Sequence, residues 1–101
     1  MNYEALAIAE VWGSCNVITV MDQMCKTADV EYCMTFTKYG GLNAVIMTGK
    51  TSAAQAAVEG LLVNPPCEVV KAVVITRPSR ETIKILEDEM KISQHFRKLI
   101  N

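Results

Sequence analysis

Residues 3–11 read YEALAIAEV, a nearly continuous apolar run of strand length that predicts a central strand covered on one face. Trp12-Gly13 breaks the run, and Ser14 is positioned to cap a helix. Over residues 15–28, Val17, Val20, Met21, Met24 and Ala28 recur at helical spacing, with Ile18 and Cys25 beside them. That spacing predicts a helix with one buried stripe, in which Cys25 is a small core residue and Cys15 sits in the first turn with a structural role. Residues 30–38 alternate. Tyr32, Met34 and Phe36 point one way and Glu31, Cys33, Thr35 and Thr37 the other, so Cys33 is expected on the less apolar face, near a subunit contact.

Gly40-Gly41 then predicts a hairpin turn into an apolar strand over 42–47, closed by Gly49-Lys50. Ser52 and Gln55 have capping-box spacing for a second helix reaching about Leu62, and Pro65-Pro66 stop it. EVVKAVVI, residues 68–75, is a fourth strand. Ser79 is placed to cap a last helix that carries Ile83, Leu86 and Met90 on one face. The order β-α-β-β-α-β-α is an α+β arrangement: a ferredoxin-like split βαβ sandwich with helices on one face of an antiparallel sheet, followed by a C-terminal helix. That architecture hosts many functions and settles none.

Composition narrows the choice. The chain has 101 residues, enough for one domain with its own core. Half of them are hydrophobic and only 21% charged, so some apolar surface is expected to be hidden in an oligomer. A net charge of −1 with interspersed signs offers no basic patch for nucleic acid. No apolar run approaches a membrane span, and the amino terminus lacks the positive region of a signal peptide, so a cytoplasmic location is expected.

The four cysteines, Cys15, Cys25, Cys33 and Cys67, contain no Cys-x-x-Cys pair, so metal chemistry would need cysteines from several subunits. His95 lies in the tail beside Arg97 and Lys98 without a pattern of catalytic partners. Paired carboxylates, a phosphate-binding glycine loop and a nucleophile motif are all missing, which argues against an enzyme.

Several segments in order resemble the single-domain, hexamer-forming shell proteins of bacterial microcompartments. ALAIAEV with Gly13 is similar to that family's first strand and the glycine after it. MDQMCKTADV (21–30) is similar to its edge-lysine stretch and KYGGLNAVIMTG (38–49) to its pore turn and third strand. TSAAQAAVEG is similar to its second helix, and VVITRP (73–78) to its arginine-proline segment. The likeness covers about residues 4–86, which sets a shell domain over 1–86 and a helical extension over 87–101. Within the family the chain is most similar to a divergent hexameric member from glycyl-radical propanediol compartments. It departs in its Tyr39-Gly40-Gly41 turn, where a Gly-Ser-Gly type is usual, and in Asn64-Pro65-Pro66-Cys67, where a short glycine loop is usual.

The resemblance implies a homohexamer that tiles edge to edge with other shell proteins around encapsulated enzymes. Lys26 and Arg77 would lie at the hexamer edge, and Lys38, Tyr39, Gly40 and Gly41 would rim the central pore. Cys67 would fall near the six-fold axis, where a ring of thiols could hold an iron–sulfur cluster, for instance a 4Fe-4S cluster, for electron transfer or cluster transport. The other outcomes are a loop cysteine narrowing an ordinary metabolite pore, or a ferredoxin-like small-ligand regulatory module that forms no layer. A stand-alone electron carrier is disfavoured, because the chain has no cluster motif of its own.

Overall fold

A computed structural model describes the backbone of residues 1–37 and 39–100, with side chains for all of these except Tyr39 and residues 95–100. The elements are β1 (Ala5–Trp12), α1 (Ser14–Thr27), β2 (Val30–Thr37), a 3-10 turn (Tyr39–Gly41), β3 (Leu42–Gly49), α2 (Thr51–Val63), β4 (Val69–Thr76) and α3 (Arg80–Ile100). The sheet order is β2-β3-β1-β4 with every pairing antiparallel. This is the split βαβ arrangement that the element order implies. Helix α3 runs unbroken across positions 86 and 87.

Alternation along β1 divides the core in two. Ala5, Ala7, Ala9 and Val11 join Val45 and Met47 of β3 on the face covered by α1 and α2. The alanines are matched by Ala54 and Ala57 of α2, small residues that let the helix lie close to the sheet. Val20 and Met24 of α1 and Leu61 of α2 complete this cluster, each fully buried. Complete burial of a side chain of this size contributes about 1.5–3 kcal/mol. Leu6 and Ile46 point to the opposite face, where Leu86 and Met90 of α3 meet them. The near-continuous apolar run of β1 therefore reflects a strand covered on both sides, not on the one face expected, because α3 packs on the face that α1 and α2 leave open.

Three local expectations are corrected. The alternation of β2 breaks at a bulge between Tyr32 and Met34, which leaves Cys33 as the extra residue. Since side chains alternate with period two, that insertion switches the faces. Tyr32 stays with Met47 on the α1 side, while Met34 and Phe36 move to the α3 side. Cys33 is buried there beside Leu6, Ile46 and Leu86 rather than lying on a less apolar face. Cys25 is exposed, its thiol 3.8 Å from the Val30 carbonyl, so it is not a core residue.

The helix caps also differ. Gly13, at φ 78°, is the N-cap of α1, so Ser14 is already inside the first turn and makes no cap bond. Lys50 is the N-cap of α2, and no side chain of its own segment caps it. Instead the Thr51 N–H donates to Glu4 Oε2 at 2.8 Å, a cap delivered from the start of β1. Ser79 does cap α3, accepting from the Thr82 N–H at 3.1 Å.

Candidate pore and edge sites

The pairing register sorts the singled-out residues onto two opposite ends of the sheet. At one end Trp12 pairs with Leu42, Thr37 with Asn43, and Val11 with Val69. Gly41 directly precedes Leu42, and Cys67 lies two residues before Val69, hence within about 7 Å of it along the chain. The turn and Cys67 therefore share this end, flanking β1. At the other end Val30 pairs with Gly49, Gly49 with Ala5, and Ala5 with Thr76. Arg77 follows Thr76 directly. Lys26 lies in the last turn of α1, four residues before Val30. An eight-residue strand separates the two ends by roughly 26 Å.

The turn is held by its glycines. Gly40 (φ 77°) and Gly41 (φ 85°) occupy the left-handed region that side chains disfavour. The Gly41 carbonyl accepts the Gly13 N–H at 2.8 Å and the Asn43 amide at 3.1 Å, which ties the turn to the β1–α1 junction. Lys38 lies outside the described residues, as does the side chain of Tyr39.

Cys67 follows Pro65-Pro66, is half-buried, and packs against the larger core cluster. Burial, and secondarily the charge of Glu68, hold its thiol above the usual range, so the neutral form is favoured. Its loop leaves the end of α2, whose Gly60 and Asn64 carbonyls both accept the Gln23 amide, at 3.2 and 3.0 Å. Gln23 thus joins α1 to the base of the Cys67 loop. Among the described residues of one chain, no group of three or more His, Cys, Asp or Glu side chains could hold a metal. A cluster would fit only thiols from several copies. The side chain of His95 lies outside the described residues.

At the opposite end Lys26 is exposed and paired with Asp22 at 2.7 Å, a helical contact that holds its ammonium above the usual value. Arg77 is exposed with φ 47°, the one non-glycine at positive φ among the described residues, and its N–H donates to the Glu4 carbonyl at 2.8 Å. Backbone strain of this kind costs about 1–3 kcal/mol and recurs at functional positions. Neither the Glu4 cap nor the Gln23 clamp was expected, since each joins elements far apart in sequence. Gln23 lies within the edge-lysine stretch, but nothing local marks it.

The chain resembles a microcompartments protein from Desulfitobacterium hafniense, with a TM-score of 0.70 and 19% identity over 83% of this chain and 47% of that one. It thus spans about half the length of that protein, and the likeness concerns the fold. No curated protein matches. The family model for the BMC domain matches residues 5–78, from the start of β1 to the proline after Arg77. On that match the chain belongs to the BMC-domain family, the building blocks of bacterial microcompartment shells.

Proposed function

We propose that the chain forms cyclic hexamers that tile edge to edge into a microcompartment shell, with the Gly40-Gly41 turn and Cys67 facing the ring axis and Lys26 and Arg77 facing neighbouring rings. The observation that carries this reading is the division of the sheet's ends. The glycine turn and Cys67 are together at one, and the lysine and arginine are together at the other. A tile needs such a division, because the axis and the perimeter are its two functional boundaries. The role is structural, and the enclosed enzymes supply the chemistry.

The finer reading is that copies of Cys67 hold an iron–sulfur cluster at the axis. One thiol per chain suits a ligand set drawn from several chains, and Pro65-Pro66 limit how far the loop can move. When bound, the cluster would supply one-electron chemistry. The chain's contribution is to orient Cys67 and to release its proton, against the burial and the Glu68 charge that favour the neutral thiol.

Electron microscopy of the purified chain tests the tile. Ordered layers or tubes are expected, lost in Lys26→Ala and Arg77→Ala while the ring mass persists. A single-chain mass for the unaltered protein would favour the small-ligand module instead. Iron and sulfide assays on anaerobically purified rings test the cluster. Metal that is present in the parent and lost in Cys67→Ser supports it, whereas metal-free rings in both leave an ordinary pore.

A further inference from the structure

Glu4 directly precedes β1, the strand between β3 and β4, and it bonds to the exits of both neighbours. On one side β3 ends at Gly49 and the chain runs through Lys50 into α2, where the Thr51 N–H donates to Glu4 Oε2 at 2.8 Å. On the other side β4 ends at Thr76, and the Arg77 N–H donates to the Glu4 carbonyl at 2.8 Å. That bond carries the β1–β4 ladder one residue past the Ala5–Thr76 pair. The Glu4 N–H donates to Asn2 Oδ1 at 2.9 Å, so its N–H, carbonyl and carboxylate are all engaged. Arg77 needs such a hold. Its φ of 47° is disfavoured for an L-residue, and Pro78 biases position 77 towards extended backbone instead.

We propose, on the strength of the tile reading, that Glu4 is the positioning residue of the perimeter, holding Arg77 in the left-handed conformation that directs it toward a neighbouring ring. The carboxylate acts at one remove. By accepting from Thr51 it fixes residue 4 against the start of α2, and a fixed residue 4 presents its carbonyl to Arg77. A bond from an N–H to a carboxylate is about twice as strong as one to a neutral acceptor, so an acid serves better here than an amide. The α2 cap and the Arg77 turn thereby become one unit, although Glu4, Thr51 and Arg77 lie far apart in sequence. Released from Glu4, Arg77 relaxes towards the extended backbone that Pro78 favours, and its guanidinium points elsewhere while sheet and core stay intact.

Electron microscopy and native mass of synthetic full-length chains test it, with L- or D-arginine at position 77. D-arginine favours positive φ by itself, so it holds the turn without Glu4. Glu4→Ala is expected to keep the ring mass and lose ordered layers, with Glu4→Gln between it and the parent. D-arginine in the Glu4→Ala chain should restore the layers, which a carboxylate that merely stabilised α2 would not allow. Urea unfolding, at dilutions where the native mass is that of one chain, reads the tether independently of layers. There D-arginine should raise the folding equilibrium constant about tenfold in the parent. Beside Glu4→Ala the gain should fall to about threefold or less, because the strain is already released. Layers from Glu4→Ala as extensive as the parent's would overturn the proposal, as would layers lost but not restored by D-arginine. An equal gain from D-arginine in both chains would overturn the tether itself. A parent that forms rings but never layers would instead refute the perimeter reading, with an unequal gain still showing that Glu4 holds Arg77.

Discussion

Replacing Gly41 tests whether the turn's glycines are demanded by the backbone or by space. Gly41 sits at φ 85°, and among the described residues beyond its two chain neighbours no atom lies within 4 Å of a Cβ built on it. Within one chain the penalty for alanine is therefore conformational. Placing an L-residue in the left-handed region costs about 1–2 kcal/mol. Alanine's lower unfolded-state entropy offsets about 0.4–1 kcal/mol of that, leaving a loss near 1 kcal/mol. For a domain of this size such a loss lowers Tm by about 4–8 °C. The carbonyl's bonds to Gly13 and Asn43 need not change, since the substitution leaves that oxygen in place. The assay is urea unfolding of synthetic chains carrying Gly, L-alanine or D-alanine at position 41, diluted until the native mass is that of one chain. D-alanine favours positive φ, so it should raise stability by about 0.4–1 kcal/mol over glycine. If D-alanine destabilises as much as L-alanine, occupied space rather than backbone conformation sets the cost, and the reasoning fails. At concentrations where rings form, a further loss specific to either alanine would mark a neighbouring chain against the turn.

Three other expectations follow from contacts that join distant segments. Gln23→Ala removes the amide shared by the Gly60 and Asn64 carbonyls, so stability should fall by about 1 kcal/mol. Amide hydrogen exchange over residues 64–68 should quicken, and unchanged exchange would show that the clamp does not hold the Cys67 loop. Glu4 has its carboxyl pKa lowered by accepting the Thr51 N–H, so its contribution is present above the unfolded carboxylate value and lost as pH falls through the lowered folded one. Glu4→Gln should therefore lower the urea midpoint at neutral pH, with the gap closing in acid; a gap that widens on acidification contradicts this. Glu68→Gln removes a negative charge beside Cys67 and should lower that thiol's pKa, seen as faster alkylation of the Cys67 peptide at fixed pH.

The sheet's organisation was legible because strong periodic signals carried it. The ALAIAEV run, the paired glycines, the Pro-Pro stop and Ser79 each led to a feature found in the fold. What the sequence concealed were consequences of one inserted residue and of contacts across the fold. The bulge at Cys33 leaves no mark in an alternating pattern, yet it moves Met34 and Phe36 to the face opposite Tyr32. The capping-box spacing of Ser52 and Gln55 was real in sequence but lost to the geometry of entry. The chain turns into α2 at Lys50, and Glu4, just before β1, is already in reach of the Thr51 N–H. Cys25 satisfied a helical stripe at its margin, where a shift of a few tens of degrees decides between core and solvent. Residue patterns alone did not show the two-ended arrangement of the candidate sites, which only the family resemblance implied; the strand register supplies the placement of the turn and Cys67 at one end of the sheet and of Lys26 and Arg77 at the other.

The most direct test of the central claim is native mass spectrometry of the full chain, purified without oxygen. The account predicts one dominant species of six copies of the 11.1 kDa chain, with iron and sulfide mass that disappears in Cys67→Ser. A species of one chain, with no larger assembly at any concentration, would contradict it.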